Sequence, residues 1–193
     1  MNKLMDLSAK DRILYTARKM IESQGYNNLN INTLAENAKV AIGTLYWHFK
    51  KGKQSIVKEL LRQSAEEIQP LLKDFKFEPN KPIKGFKPFL LKYIQSHREH
   101  RMLIRAFVIE ELEDEADFRE FSREEIEKTI HFLKKNLKKY ETDIDNFPKK
   151  LKTFALFLDD LVHQHIIFND KYGSDDFLVD ILANLFEFIL LDG

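Results

Sequence analysis

The chain has 193 residues, 44% of them apolar and 32% charged, enough for one large helical domain or a small module joined to a larger one. It has no cysteine, which excludes disulfide staples, thiolate metal ligands and a cysteine nucleophile, and no apolar run approaches the roughly 20 residues that span a bilayer. Net charge is zero, yet residues 1–62 hold eleven Lys/Arg against five Asp/Glu and the rest holds twenty against twenty-six, so a head of +6 precedes a body of −6. That asymmetry is the footprint expected when one end meets a polyanion.

The opening MNKLMDLSAKDR lacks the apolar core of a secretory signal, so a cytoplasmic location is the default expectation. Ser8 reads as the N-cap of a first helix carrying Ile13, Leu14, Ala17, Met20 and Ile21 at helical spacing. Gly25-Tyr26-Asn27-Asn28 ends it. Asn30 then caps a short second helix, Ile31 to about Ala38, that buries Ile31, Leu34 and Ala35. Lys39-Val40 turns the chain, and a third helix runs from about Ile42 to His48 with Leu45 and Phe49 facing inward. This three-helix unit contains a helix-turn-helix, and the third helix turns Thr44, Tyr46, Trp47 and His48 outward, with lysines close behind.

A fourth helix is predicted from about Lys53 to Phe75, with Pro70 bending or weakening it because it lacks a backbone donor. Phe77 to Pro88 holds Pro79, Pro82, Gly85 and Pro88, the densest cluster of helix breakers, and reads as the module boundary. Beyond it, helices are expected near 86–99, 101–113, 117–140, 147–170 and 175–191. The last is apolar around most of its circumference and needs cover on more than one side. The last two helices are therefore expected to pair with a second copy in a four-helix bundle, against the alternative of a buried hairpin in a monomer.

Through Gly25-Tyr26 and Ala35-Glu36-Asn37-Ala38-Lys39-Val40-Ala41-Ile42-Gly43-Thr44-Leu45-Tyr46-Trp47-His48-Phe49, the chain resembles the TetR family of repressors. The resemblance covers roughly residues 10–62. It implies an all-α fold: a helix-turn-helix DNA-binding domain over 1–52 and a helical effector-binding and dimerisation domain over 53–193. Lys39 departs from the family pattern at the turn glycine, Ala41 at a Ser/Thr cap and Leu29-Asn30 at a Thr-Thr pair. The run Lys50-Lys51-Gly52-Lys53 is one residue longer than usual.

In the family-like pose the third helix enters the major groove of a palindromic operator as part of a homodimer. Ile42, Gly43 and Thr44 would meet base edges, Tyr46, His48 and Lys53 would hold phosphates with Asn32 as a further contact, and Trp47 would lie on the DNA face. The resemblance also implies an effector pocket in the body. Thirteen of the sixteen Phe lie beyond residue 80, and Phe89, Tyr93, Phe107, Phe132, Phe154 and Phe157 are the candidate lining for a lipophilic or aromatic ligand.

His97 and His100 stand i, i+3, while His163 and His165 diverge at i, i+2. With no carboxylate placed beside either pair, neither a metal nor any cofactor is expected. The competing classes are a di-iron carboxylate enzyme and a helical protein-binding module that does not touch DNA. The first needs Glu-x-x-His pairs, which the chain lacks, and no phosphate loop or nucleophile elbow is present, so no enzymatic activity and no membrane partner are expected.

Overall fold

A computed structural model describes residues 4–73, 82–113, 116–138 and 145–190. The described residues form nine α-helices: α1 Ala9–Gln24, α2 Ile31–Asn37, α3 Ile42–His48, α4 Lys53–Lys73, α5 Pro82–Glu99, α6 Arg101–Leu112, α7 Ala116–Leu137, α8 Phe147–Ile167 and α9 Asp175–Leu190. A single 3-10 turn, Tyr26–Asn28, follows α1. They divide into two compact units. One comprises residues 1–66 and 102–119, and the other 67–101 and 120–193. No described helix is long and apolar enough to cross a membrane.

In the first unit the expected caps form. The Ser8 side chain accepts the Asp11 N–H, and Asn30 accepts those of Asn32 and Thr33. Gly25 ends α1 at φ +81°, a conformation that L side chains seldom adopt. Ile13, Leu14, Ala17, Ile21, Leu34, Leu45, Phe49, Ile56 and Leu60 are buried and lock α1 through α4 together, whereas Ile31 is only half-buried. At the α2–α3 turn, the Val40 N–H bonds to the Ala35 carbonyl and the Lys39 N–H to Glu36, the paired bonds of a Schellman ending. Lys39 occupies the left-handed position of that motif at φ +56°. From α1, Arg12 donates to the carbonyls of Ala38 and Lys39, closing off the end of α2.

In the second unit α9 packs against α5 and α8. Phe86, Leu90, Ile94, Phe154, Leu158, Val162, Leu178, Leu182 and Phe186 form its core. The expectation that Phe77 to Pro88 breaks the chain is corrected from Pro82 onward, and residues 77–81 lie outside the described segments. Pro82 opens α5, where no backbone donor is required, and the helix continues through Gly85 and Pro88. An interior proline costs about 3 kcal/mol, but Phe86, Phe89 and Leu90 around it are buried, each contributing roughly 1.5–3 kcal/mol. Burial wins. Likewise α4 continues through Pro70 to Lys73.

Candidate nucleic-acid interface

The outward surface of the first unit is built by α3. Ile42, Gly43, Tyr46 and Trp47 are exposed, Thr44 and His48 half-buried, and Leu45 and Phe49 buried, so one edge anchors the helix while the other meets solvent. Trp47 is 75% exposed, far beyond what packing requires of the largest apolar side chain. The His48 ring stands edge-on to it with centroids 4.5 Å apart. No side chain caps α3 at Ala41, whose carbonyl accepts from the Thr44 and Leu45 amides. Asn32 lies exposed on α2.

Gly52 seats Tyr46. It is buried at φ +57°, and a Cβ there would meet Tyr46 Cε1 at 3.4 Å and Ile31 at 3.9 Å. The Tyr46 ring edge thus rests against the backbone at the α3–α4 corner while 48% of the residue remains exposed. This support was not anticipated, although a glycine among three lysines was its visible trace.

Lys53 behaves differently from a plain surface cation. Its ammonium lies 4.1 Å from the centroid of the Tyr26 ring, and burial lowers its pKa from the ordinary lysine value. The Tyr26 hydroxyl donates to the buried Glu110 carboxylate of α6, which also accepts from Gln54 Nε2 at 3.0 Å. α6 is thereby fastened to the base of α4 within the first unit. At the other side of the unit, Lys10 of α1 lies 2.7 Å from Glu59 of α4. Hydrogen bonds from Arg62 and then Lys10 hold the Glu59 carboxyl down at about 2 against the opposing effect of burial.

Five of the six aromatic residues expected to line a pocket belong to the second unit. Phe89, Tyr93, Phe132 and Phe154 lie in the second unit, where Phe89 stacks on Phe132 at 5.1 Å and lies 5.9 Å from Tyr93, and Phe154 meets Phe86 at 5.6 Å. Phe107 belongs to the first unit, 6.3 Å from Phe118. Phe157 of α8 is 46% exposed, whereas Phe154 and Leu158 are buried.

A short helix held at its buried edge, its polar and aromatic edge turned out behind a tight turn, is the arrangement of a helix-turn-helix. Residues 13–60 match the family model described as bacterial regulatory proteins, tetR family. Over those residues the amino-terminal module of this chain is similar to that of the TetR family. Among known proteins, the chain is 27% identical over 82 residues to the HTH-type transcriptional regulator LmrA of Bacillus subtilis, which covers 42% of this chain and 44% of that relative. The match thus spans less than half the length of the curated relatives. The fold extends further. A TetR-family member of Streptomyces coelicolor A3, SCO1917, superposes with a TM-score of 0.69 at 17% identity, covering 93% of this chain and 98% of its own. The multidrug binding protein EbrR, solved with imidazole, does so at 0.66 and 18% identity, covering 93% and 96%.

Proposed function

We propose that this protein is a cytoplasmic transcriptional repressor that binds a palindromic DNA operator as a homodimer and is released by a small lipophilic effector. The observation that carries the reading is α3: exposed Ile42, Gly43, Tyr46 and Trp47 beside half-buried Thr44 and His48, on a head of net charge +6. Gly43 and Thr44 read base edges with Ile42 in apolar contact. Tyr46, His48, Lys53 and Asn32 hold phosphates, and Trp47 stacks along the backbone. For Lys53 to reach a phosphate its ammonium must leave the Tyr26 ring, which makes exposed Lys50 a natural partner in that task.

Dimerisation is assigned to α8 and α9. Leu156, Phe157, Phe168, Phe177 and Phe188 are exposed on or at the ends of these two helices, with Phe188 70% exposed. Large apolar side chains left open in that number mark an association surface. Two heads would then read two half-sites. Residues 1–52 act as the reading head and 53–193 as the effector and dimer portion. The effector is assigned to the aromatic cluster of Phe89, Tyr93, Phe132 and Phe154, and the imidazole held by EbrR is consistent with small ring ligands in such a body.

The test is a mobility shift with duplex from the gene's own upstream region against a shuffled duplex, alongside solution mass. Selective retardation by a species of twice the chain mass supports the reading. A monomer that ignores both duplexes overturns it.

A further inference from the structure

Asp159 and His163 stand i, i+4 on α8 and so share one helix face. α5 packs against α8 and brings His97 to the same place, supplying the carboxylate–imidazole partnership that neither histidine pair offers alone. Ligating atoms of His97, Asp159 and His163 all lie within 4.8 Å of one another. His163 Nδ1 and Asp159 Oδ2 are 3.4 Å apart. A tetrahedral site with metal–ligand bonds of about 2.0–2.1 Å has edges of about 3.3 Å. One edge is therefore already at size, and the others close by up to about 1.5 Å through side-chain rotation.

The tautomer of His97 supports the same use. Its Nδ1 lies 2.8 Å from the Tyr93 carbonyl oxygen, which can only accept, so Nδ1 carries the proton and the lone pair resides on Nε2. A bond of this kind from the far ring nitrogen is the usual orienting contact of a metal-ligating histidine. The Tyr93 ring lies 4.1 Å from the His97 ring, centroid to centroid, and fixes its plane.

A second cluster, His165, Asp170 and Asp175, shows what a filled site looks like. There the Arg98 guanidinium bonds to both carboxylates, and His165 Nε2 lies 3.0 Å from Asp175 Oδ1. An arginine already takes the cation's place, so that cluster is a staple between α5 and the α8–α9 corner. At the first cluster the Asp159 and His163 side chains keep 22% and 14% exposure, enough for an ion to reach them and for water to complete the coordination.

We propose that His97, Asp159 and His163 bind one divalent transition-metal ion, with Zn2+ the best match to two imidazoles and a carboxylate, tying α5 to α8 within the second unit. The proposal stands apart from DNA binding and needs no operator. Tag-free full-length protein, stripped by chelator, is titrated with ZnCl2 and separately with CoCl2 while visible absorption is read. One equivalent per chain is expected, with a rise in Tm on Zn2+ addition and a Co2+ ligand-field spectrum of low coordination number. Asp159→Asn and His163→Gln each weaken Zn2+ binding at least 10-fold and abolish the Co2+ spectrum, while His131→Gln, on exposed α7 surface, changes neither. If Asp159→Asn does not fold, as judged by far-UV circular dichroism, His163→Gln decides by the same titration. Equal affinity in wild type and the folded variants, or no saturable binding at all, overturns the site.

Discussion

Replacing Gly43 with Ala should make the protein more stable and a poorer DNA binder at once. Gly43 is the second residue of α3, and a Cβ built there meets no heavy atom within 4 Å. In the free chain the new methyl is unopposed, and Ala is preferred over Gly in a helix by up to about 1 kcal/mol. Taking half of that near a helix start gives about 0.5 kcal/mol, or about 1–2 °C in Tm for a chain of this size. On DNA the sign reverses. With α3 in a major groove, the bare backbone at Gly43 faces base edges, and a methyl forced into a packed contact costs about 1 kcal/mol or more. Two heads double this to about 2 kcal/mol, close to a 30-fold loss of affinity. Thermal melts followed by circular dichroism and mobility shifts at fixed salt measure the two quantities independently. Wild-type affinity in a stabilised Gly43→Ala protein would refute close approach of the α3 backbone to the bases.

Lys39 sits at φ +56°, so Lys39→Gly should relieve about 1 kcal/mol of left-handed strain and, after the entropy of the more flexible unfolded chain, net about 0.5 kcal/mol. Lys39→Ala keeps a Cβ and should stay near wild type in urea midpoint; equal gains from both would point to charge rather than backbone strain. Tyr26→Phe removes the hydroxyl that donates to buried Glu110 and should cost about 1.5–3 kcal/mol in urea unfolding, and a change under 0.5 kcal/mol would show that the bond contributes little. Because the Glu59 carboxyl is held down at about 2 from an ordinary 4.5, its ion pairs stabilise the fold above pH 4.5 and are lost as pH falls from there toward 2. Discounted for solvent screening, Glu59→Gln should cost about 1 kcal/mol at pH 7 and progressively less as pH falls from 4.5 to 2, so a pH-independent difference between the two proteins would contradict this assignment.

Most of the head was legible from residue spacing because its determinants are local. Ser8 and Asn30 cap where their side chains reach amides two or three residues on, and Leu45 and Phe49 face inward four residues apart. The strained Lys39 was visible as a side chain where a left-handed turn favours glycine. What was not legible depends on distant partners. Gly85 and Pro88 carry breaker propensities, but the cost is overridden by the burial of Phe86, Phe89 and Leu90 against partners from α7, α8 and α9, distant in sequence. Phe107 looked equivalent to the other aromatic residues because helical periodicity does not say which core a helix joins. Asp159 lies four residues before His163 in plain view, yet its meaning depends on His97 arriving from α5.

The reading of α3 as a DNA-reading helix is tested most directly through Trp47, the only tryptophan and 75% exposed on that helix. Its fluorescence should change on addition of upstream duplex, with the association constant falling on a log–log salt plot at a slope of about −4 or steeper, as expected when Lys50, Lys53 and their dimer mates displace phosphate counterions. Emission that stays constant through a saturating titration, or binding indifferent to salt, would contradict it.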